Sequence, residues 1–229
     1  MYWRTSVSAL LAIILSLLLW QCQGTATTTN TPTVFARFNI RYLAEDQQLR
    51  GQAELFSGDS SSVAQPLAIV GGVAFLGSGT QEKRLPGAIR YESTLRVPYL
   101  SPTNFSFQLP QREALTQVQL DMAGLDNFEV MQASKAQGLR LRVKGGLEAG
   151  ESLLLLFTDP NQEARTIVRP GPLNQEGLFI PPDALLHFIP GAYRVYLVKS
   201  KETEVTIDNF HYQASVEYYT QEQVFNLVD

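Results

Sequence analysis

Residues 34–42 read Val-Phe-Ala-Arg-Phe-Asn-Ile-Arg-Tyr, and their parity decides the fold class. Ala36, Phe38, Ile40 and Tyr42 share one side of an extended chain, while Arg37, Asn39 and Arg41 share the other. A strand turns successive side chains to opposite faces, so a period of two specifies one buried face and one wet face. The same alternation returns downstream. Leu49, Gly51, Ala53 and Leu55 oppose Arg50, Gln52 and Glu54; Ile89, Tyr91, Leu95 and Val97 oppose Arg90, Glu92 and Arg96. Phe105, Phe107 and Leu109 repeat it, as do Val118, Leu120 and Met122. Ser57-Gly58-Asp59, Gly77-Ser78-Gly79, Leu85-Pro86-Gly87 and Ser101-Pro102 supply turn chemistry between the runs.

A polar stretch at residues 132–138 (QASKAQG) interrupts the pattern, and Leu139, Leu141 and Val143 resume it. Leu153 to Phe157 is apolar on both parities, which predicts a central strand covered on both faces. Strands are also expected over 192–199 and in a long run from Thr203 to Tyr219, whose phase slips at Asp208-Asn209, as a β-bulge would make it. The best short helical candidate is Pro182 to Phe188.

Each half of the chain is roughly 100 residues, the size of an immunoglobulin-like sandwich. The expected fold is therefore all-β, with two tandem immunoglobulin-like β-sandwiches over 34–131 and 139–229 and a linker at 132–138. One large β-sandwich or jelly roll is the alternative, because strand spacing does not disclose sheet order. Ile180-Pro-Pro-Asp-Ala-Leu-Leu, followed by Ile189-Pro-Gly-Ala-Tyr-Arg-Val-Tyr-Leu-Val, resembles the late strands of bacterial immunoglobulin-like modules. That resemblance implies a Pro-Gly turn launching a strand that begins with a buried tyrosine, Tyr193. The Cys…Trp…Cys spacing of antibody-type domains is absent, so the kinship it implies is architectural.

The front of the chain reads as an address. Arg4 precedes an apolar stretch from Val7 to Trp20, the charged and hydrophobic regions of an export signal. As a helix the stretch would span roughly 20 Å, short of the ~30 Å hydrocarbon core. Leu18-Leu19-Trp20-Gln21-Cys22 then resembles the lipobox of bacterial lipoproteins, in a relaxed, Bacteroidota-like form with Gln21 where Gly, Ala or Ser is usual. The resemblance implies cleavage after residue 21 and lipidation of Cys22, the sole cysteine. A buried free cysteine at the tail of the apolar run, and ordinary cleavage after Ala26 with Gly24 and Ala26 as the small residues, are the competing accounts. Residues 22–33 follow as a Thr-rich tether without apolar periodicity. The expected location is a bacterial envelope membrane, the outer membrane first, on its periplasmic or surface side.

Composition limits the chemistry. The 229 residues carry 18 basic and 22 acidic side chains, a net charge of −4, which argues against nucleic acid as partner. With Cys22 at the membrane end, the body has no thiol for a disulfide, nucleophile or thiolate metal site. Gly58-Asp59-Ser60 and Asp208-x-x-His211 match the two outer blocks of GDSL-type esterases, a resemblance that implies Ser60 as nucleophile with Asp208 and His211 as its relay. That family is built on βα alternation, which this chain lacks, and an ordinary turn explains Gly58-Asp59-Ser60-Ser61. Asp159-Pro-Asn-Gln-Glu163 places oxygen ligands at alternate positions, as calcium loops do, but Pro-Asn is also what a hairpin tip wants. His187 and His211 lack metal-ligand spacing, and Gly71-Gly72 and Gly77-x-Gly79 lack the Lys-Ser/Thr of a phosphate cradle. Tyrosines such as Tyr218-Tyr219 can stack on sugars, although sandwich cores consume most of them.

The functional expectation is a membrane-anchored envelope lipoprotein acting as a non-enzymatic binding or scaffolding module. Its partners would be the membrane through the lipid on Cys22 and an envelope protein or glycan, with no catalytic residue, metal or cofactor. A carbohydrate-binding accessory protein is the alternative; the Ser60/Asp208/His211 esterase is the least favoured.

Overall fold

In a computed structural model of the chain, residues 32–110, 112–125, 127–173 and 177–229 are described. Cys22, the signal segment and most of the tether lie outside them. Alternation becomes strand almost everywhere. The first half holds β1 (Thr33–Leu43), β2 (Gln48–Gly58), β3 (Gln65–Pro66), β4 (Val73–Phe75), β5 (Ser78–Gly79) and β6 (Gln81–Leu85). There follow β7 (Ala88–Arg96), β8 (Thr103–Phe107), β9 (Thr116–Leu120), β10 (Asn127–Ser134), β11 (Gly138–Lys144) and β12 (Glu151–Thr158). The chain ends with β13 (Ala164–Pro170), β14 (Leu178–Ile180), β15 (Gly191–Ile207), β16 (Phe210–Tyr219) and β17 (Gln223–Leu227). One 3₁₀ turn, Pro182–Leu185, falls where the helical candidate was placed. No helix among the described residues is long and apolar enough to cross a membrane.

The protein is all-β, built as two sandwich cores on a shared sheet. That sheet runs β13-β12-β15-β16-β1-β2-β7-β6, with β17 against β15 and β3 against β2. Sheet β5-β4-β8-β9 complements the first core and sheet β10-β11-β14 the second. Phe38, Phe75, Phe105 and Phe107 fill the first core, with Phe38 and Phe105 centroids 5.0 Å apart. Leu153, Leu155, Phe157, Tyr193 and Val195 fill the second.

The cores are not consecutive pieces of chain. At ~3.3 Å per residue β15 is roughly 55 Å long, and it serves both. Its early residues pair with β12 and β17, and Val198–Ile207 pairs with β16. Strand β16 then lies parallel to β1, Val34 opposite Phe210 and Tyr42 opposite Tyr218, and lends Phe210, Ala214 and Val216 to the first core. The expected boundaries at 34–131 and 139–229 are corrected accordingly. Residues 132–138 are no linker: they close the β10–β11 hairpin, with Ser134 opposite Gly138. Their polarity is that of a hairpin tip. The slip at Asp208-Asn209 is likewise no bulge but a two-residue turn, closed by Ile207 opposite Phe210, with Asp208 at φ 55. An odd residue spacing arises in both cases, which is why local parity cannot separate them.

Leu153 to Phe157 buries alternate residues only; Leu154 and Leu156 are half-covered on the outer face. Tyr193 is fully buried as expected. Its hydroxyl donates to the Ile189 carbonyl (3.0 Å) and accepts from the Ile189 N–H (3.1 Å), the device of the tyrosine corner in immunoglobulin-like sandwiches. Tyr218 packs against both cores, its ring 5.1 Å from Tyr42 and 5.0 Å from Tyr99. Gly124 admits this stack, since a Cβ there would sit 2.9 Å from both the Tyr99 and Tyr218 rings.

Candidate binding face

The esterase residues are not assembled. Ser60 Oγ bonds to Ser62 Oγ at 3.1 Å in an exposed turn. Asp208 sits on the β15–β16 turn, its carboxylate 3.6 Å from Arg112. His211 Nδ1 bonds instead to the Thr206 hydroxyl at 2.7 Å, and its ring stacks on Phe35. A relay needs its carboxylate on the imidazole and the imidazole on the serine; here each of the three has a different partner.

The Asp159–Glu163 segment is a hairpin tip. One carboxylate oxygen of Asp159 accepts the N–H groups of Asn161 and Glu163, both at 2.8 Å, and the side chain is wholly buried with Arg165 at 3.7 Å. That oxygen serves the turn, while the other faces Arg165 without a hydrogen-bond partner among the described residues. Gly71, Gly72 and Gly77 all have positive φ, which fits turn positions. His187 is exposed beside the 3₁₀ turn. Among the described residues no three His, Cys, Asp or Glu side chains gather as a metal would require.

What the topology does gather lies on the outer face of the shared sheet. Register places His211, Phe35 and Phe56 in one rank across β16, β1 and β2. The next rank is Glu204, Gln213, Arg37, Glu54 and Arg90, and the one after it Glu202, Ser215, Asn39, Gln52 and Glu92. Three hollows adjoin along these ranks. The first, about 400 Å³, lies among Phe35, Phe56, His211, Arg37 and Glu204, walled by Ser61, Ala64 and the Gly87-Ala88 turn. It shares Arg37, Glu204 and Gln213 with a second of about 530 Å³. That one shares Asn39 and Ser215 with a third of about 290 Å³, reaching Arg41, Arg50 and Glu217.

The first hollow pairs aromatic faces with charge. Phe35 and His211 centroids stand 5.5 Å apart at 21°, and the Arg37 guanidinium lies 5.5 Å over the Phe56 ring. Glu54 is held by Arg90 at 2.8 Å. Arg37, Glu202 and Glu204 form no ion pair among the described residues, so their charges face solvent and any arriving ligand. Tyr212 lines the floor, and burial raises its phenol above the ordinary value. Such a face offers stacking at one end and a ladder of amide, carboxylate and guanidinium groups behind it.

No family model matches this chain, and a search of well-characterised proteins finds no relative. Sequence reading did not single out Phe35, Arg37, Phe56, Glu204 or Gln213. A signal existed: Phe35 and Phe56 are aromatic residues on the wet parity of β1 and β2. What brings His211 to Phe35 is the parallel β1–β16 pairing, which no local pattern announces.

Proposed function

We propose that this chain is a membrane-tethered binding module of a bacterial envelope, anchored by lipid on Cys22 and binding through the outer face of its shared sheet. One observation supports the binding face above the rest: three adjoining hollows follow the strands, with an aromatic end and with Arg37, Glu202 and Glu204, which have no ion pair among the described residues. A row of hollows along strands suits an extended ligand. The lipobox resemblance at Leu18–Cys22 supports the anchor, and several acyl chains at ~0.8 kcal/mol per buried CH₂ would hold it firmly.

A second reading is a carbohydrate-binding accessory protein. Phe35, Phe56 and His211 favour it, because an aromatic face flanked by planar polar groups suits a sugar ring. One experiment covers both. The full chain in detergent is titrated against envelope fragments left untreated, digested with protease, or oxidised with periodate. Saturable binding that Phe56→Ala weakens is the expected result. Its loss after protease assigns a protein ligand, and its loss after periodate a glycan. Binding that never saturates, or that ignores Phe56→Ala, contradicts the proposal.

A further inference from the structure

Strand β15 is covered unequally on its two flanks. Strand β12 follows it only as far as Glu151 opposite Lys201, whereas β16 continues to Ile207 opposite Phe210. Among the described residues, Glu202–Ile207 therefore have a strand neighbour on one side and none on the other. In an antiparallel ladder alternate residues direct both backbone groups away from the partner. The two-residue turn closes on Ile207 and Phe210 as a bonded pair, so Thr203 and Val205 also face β16. Glu202, Glu204 and Thr206 then aim their N–H and C=O groups outward, and no hydrogen bond among the described residues takes them up.

The half-edge has distinct chemistry on its two faces. Glu202 and Glu204 stand exposed on the outer face without an ion pair among the described residues. On the inner parity Val205 is half-buried and Ile207 remains 52% exposed. The 530 Å³ hollow opens beside this edge, where Glu202, Thr203 and Glu204 meet Phe38 and Ala214. A second copy of the chain does not suit it. Antiparallel self-pairings that keep inner faces together set Glu202 opposite Glu204, Glu204 opposite itself, or Glu202 opposite Asp208. Like charges directly opposed are destabilising.

We infer that Glu202–Ile207 is a strand-addition site for an extended, basic segment of a partner protein, its Lys or Arg residues facing Glu202 and Glu204 and its β-branched residues continuing the row of Val205 and Ile207. Main-chain bonds to the outward groups supply affinity, and alternate side chains supply selectivity. This edge borders the proposed binding face and shares Glu202 and Glu204 with its hollows, but it engages a ligand through backbone groups rather than the aromatic rings, and it does not depend on the lipid anchor.

The test uses the full chain in detergent and two labelled short peptides, one alternating Lys and Val, the other Glu and Val. Fluorescence anisotropy should show the Lys–Val peptide bound and the Glu–Val peptide not. Glu204→Pro removes an N–H that the native ladder does not use. It should lower affinity about tenfold or more at unchanged circular dichroism. Exchanging both acids, Glu202→Lys with Glu204→Lys, should transfer preference to the Glu–Val peptide, a readout that survives if the proline variant misfolds. Carbon-13-labelled peptide should show a strand-type amide band when bound. No binding of the Lys–Val peptide overturns the inference, as does binding indifferent to Glu204→Pro in the folded variant. Self-association that Glu204→Pro dissolves would assign the edge to a second copy and overturn it equally.

Discussion

Lys199 Nζ lies 2.8 Å from a carboxylate oxygen of Glu151, and both side chains are wholly shielded from solvent. The same carboxylate oxygen accepts the Glu148 N–H at 2.7 Å, and the ammonium donates to the Gly146 carbonyl at 3.3 Å. Glu151 Oε1 has no hydrogen-bond partner among the described residues. Lys199 belongs to the short stretch of β15 flanked by both β12 and β16, so the pair pins the 146–151 loop where the cores share their strand.

Removing one member strands the other charge, which costs roughly 3–5 kcal/mol, whereas replacing both with apolar groups is often near neutral. Lys199→Met should therefore destabilise by about that amount. Lys199→Met with Glu151→Leu should recover most of it. Urea midpoints of the four combinations check this; equal losses in single and double variants would deny the coupling.

Tyr99 gives the alkaline limb a definite sign. Burial first, then the charges of Asp121, Tyr218 and Glu151, raise its phenol well above the ordinary 10.0, and its hydroxyl donates to the Met122 carbonyl at 2.7 Å. Above pH 10 the unfolded chain loses this proton while the folded chain keeps it. Stability is then fully present below about pH 10 and declines as pH rises toward the folded value. Tyr91, Tyr193, Tyr212 and Tyr219 are shifted the same way, burial leading in each. Tyr99→Phe should cost ~1 kcal/mol at pH 7 through the lost hydrogen bond. It should also flatten the decline between pH 10 and 12. An unchanged alkaline slope would contradict the assignment.

The shared strands predict one cooperative unit. Trypsin should cut after Lys135, half-buried in the β10–β11 turn, where the exposed Ala136 and Gln137 follow it. The fragments should stay together in native electrophoresis, because β16 of the second fragment carries Phe210, Ala214 and Val216 into the first core. Separation without denaturant would favour independent domains.

Much of this fold was legible in residue parity. Ala36, Phe38, Ile40 and Tyr42 are buried, and Arg37, Asn39 and Arg41 are exposed, as the period of two requires. Turn residues marked hairpin tips, including Pro160-Asn161. Long-range pairing was not legible. That β16 returns to lie parallel to β1, or that β15 spans both cores, depends on which strands meet across most of the chain, and alternation is the same for any partner. The binding face was half legible: aromatic Phe35 and Phe56 stood on the wet parity, but His211 joins them only through that return. Lys199 and Glu151 gave no sign, since a buried charge pair looks like two surface residues until the topology encloses both.

The anchor has its own outcome. Metabolic labelling with a fatty-acid analogue should mark the wild-type chain and leave Cys22→Ala unlabelled, uncleaved or released. Label that persists in Cys22→Ala would end the lipoprotein reading.

The binding face is tested most directly by photo-crosslinking in cells that export the chain. A photoreactive side chain is placed in turn at Gln213 and Gln52 on the outer face and at Thr166 on β13. The account predicts a discrete adduct from Gln213 and Gln52, diminished by Phe56→Ala, and none from Thr166. Equal adducts from all three positions, or none from Gln213 and Gln52, would contradict it.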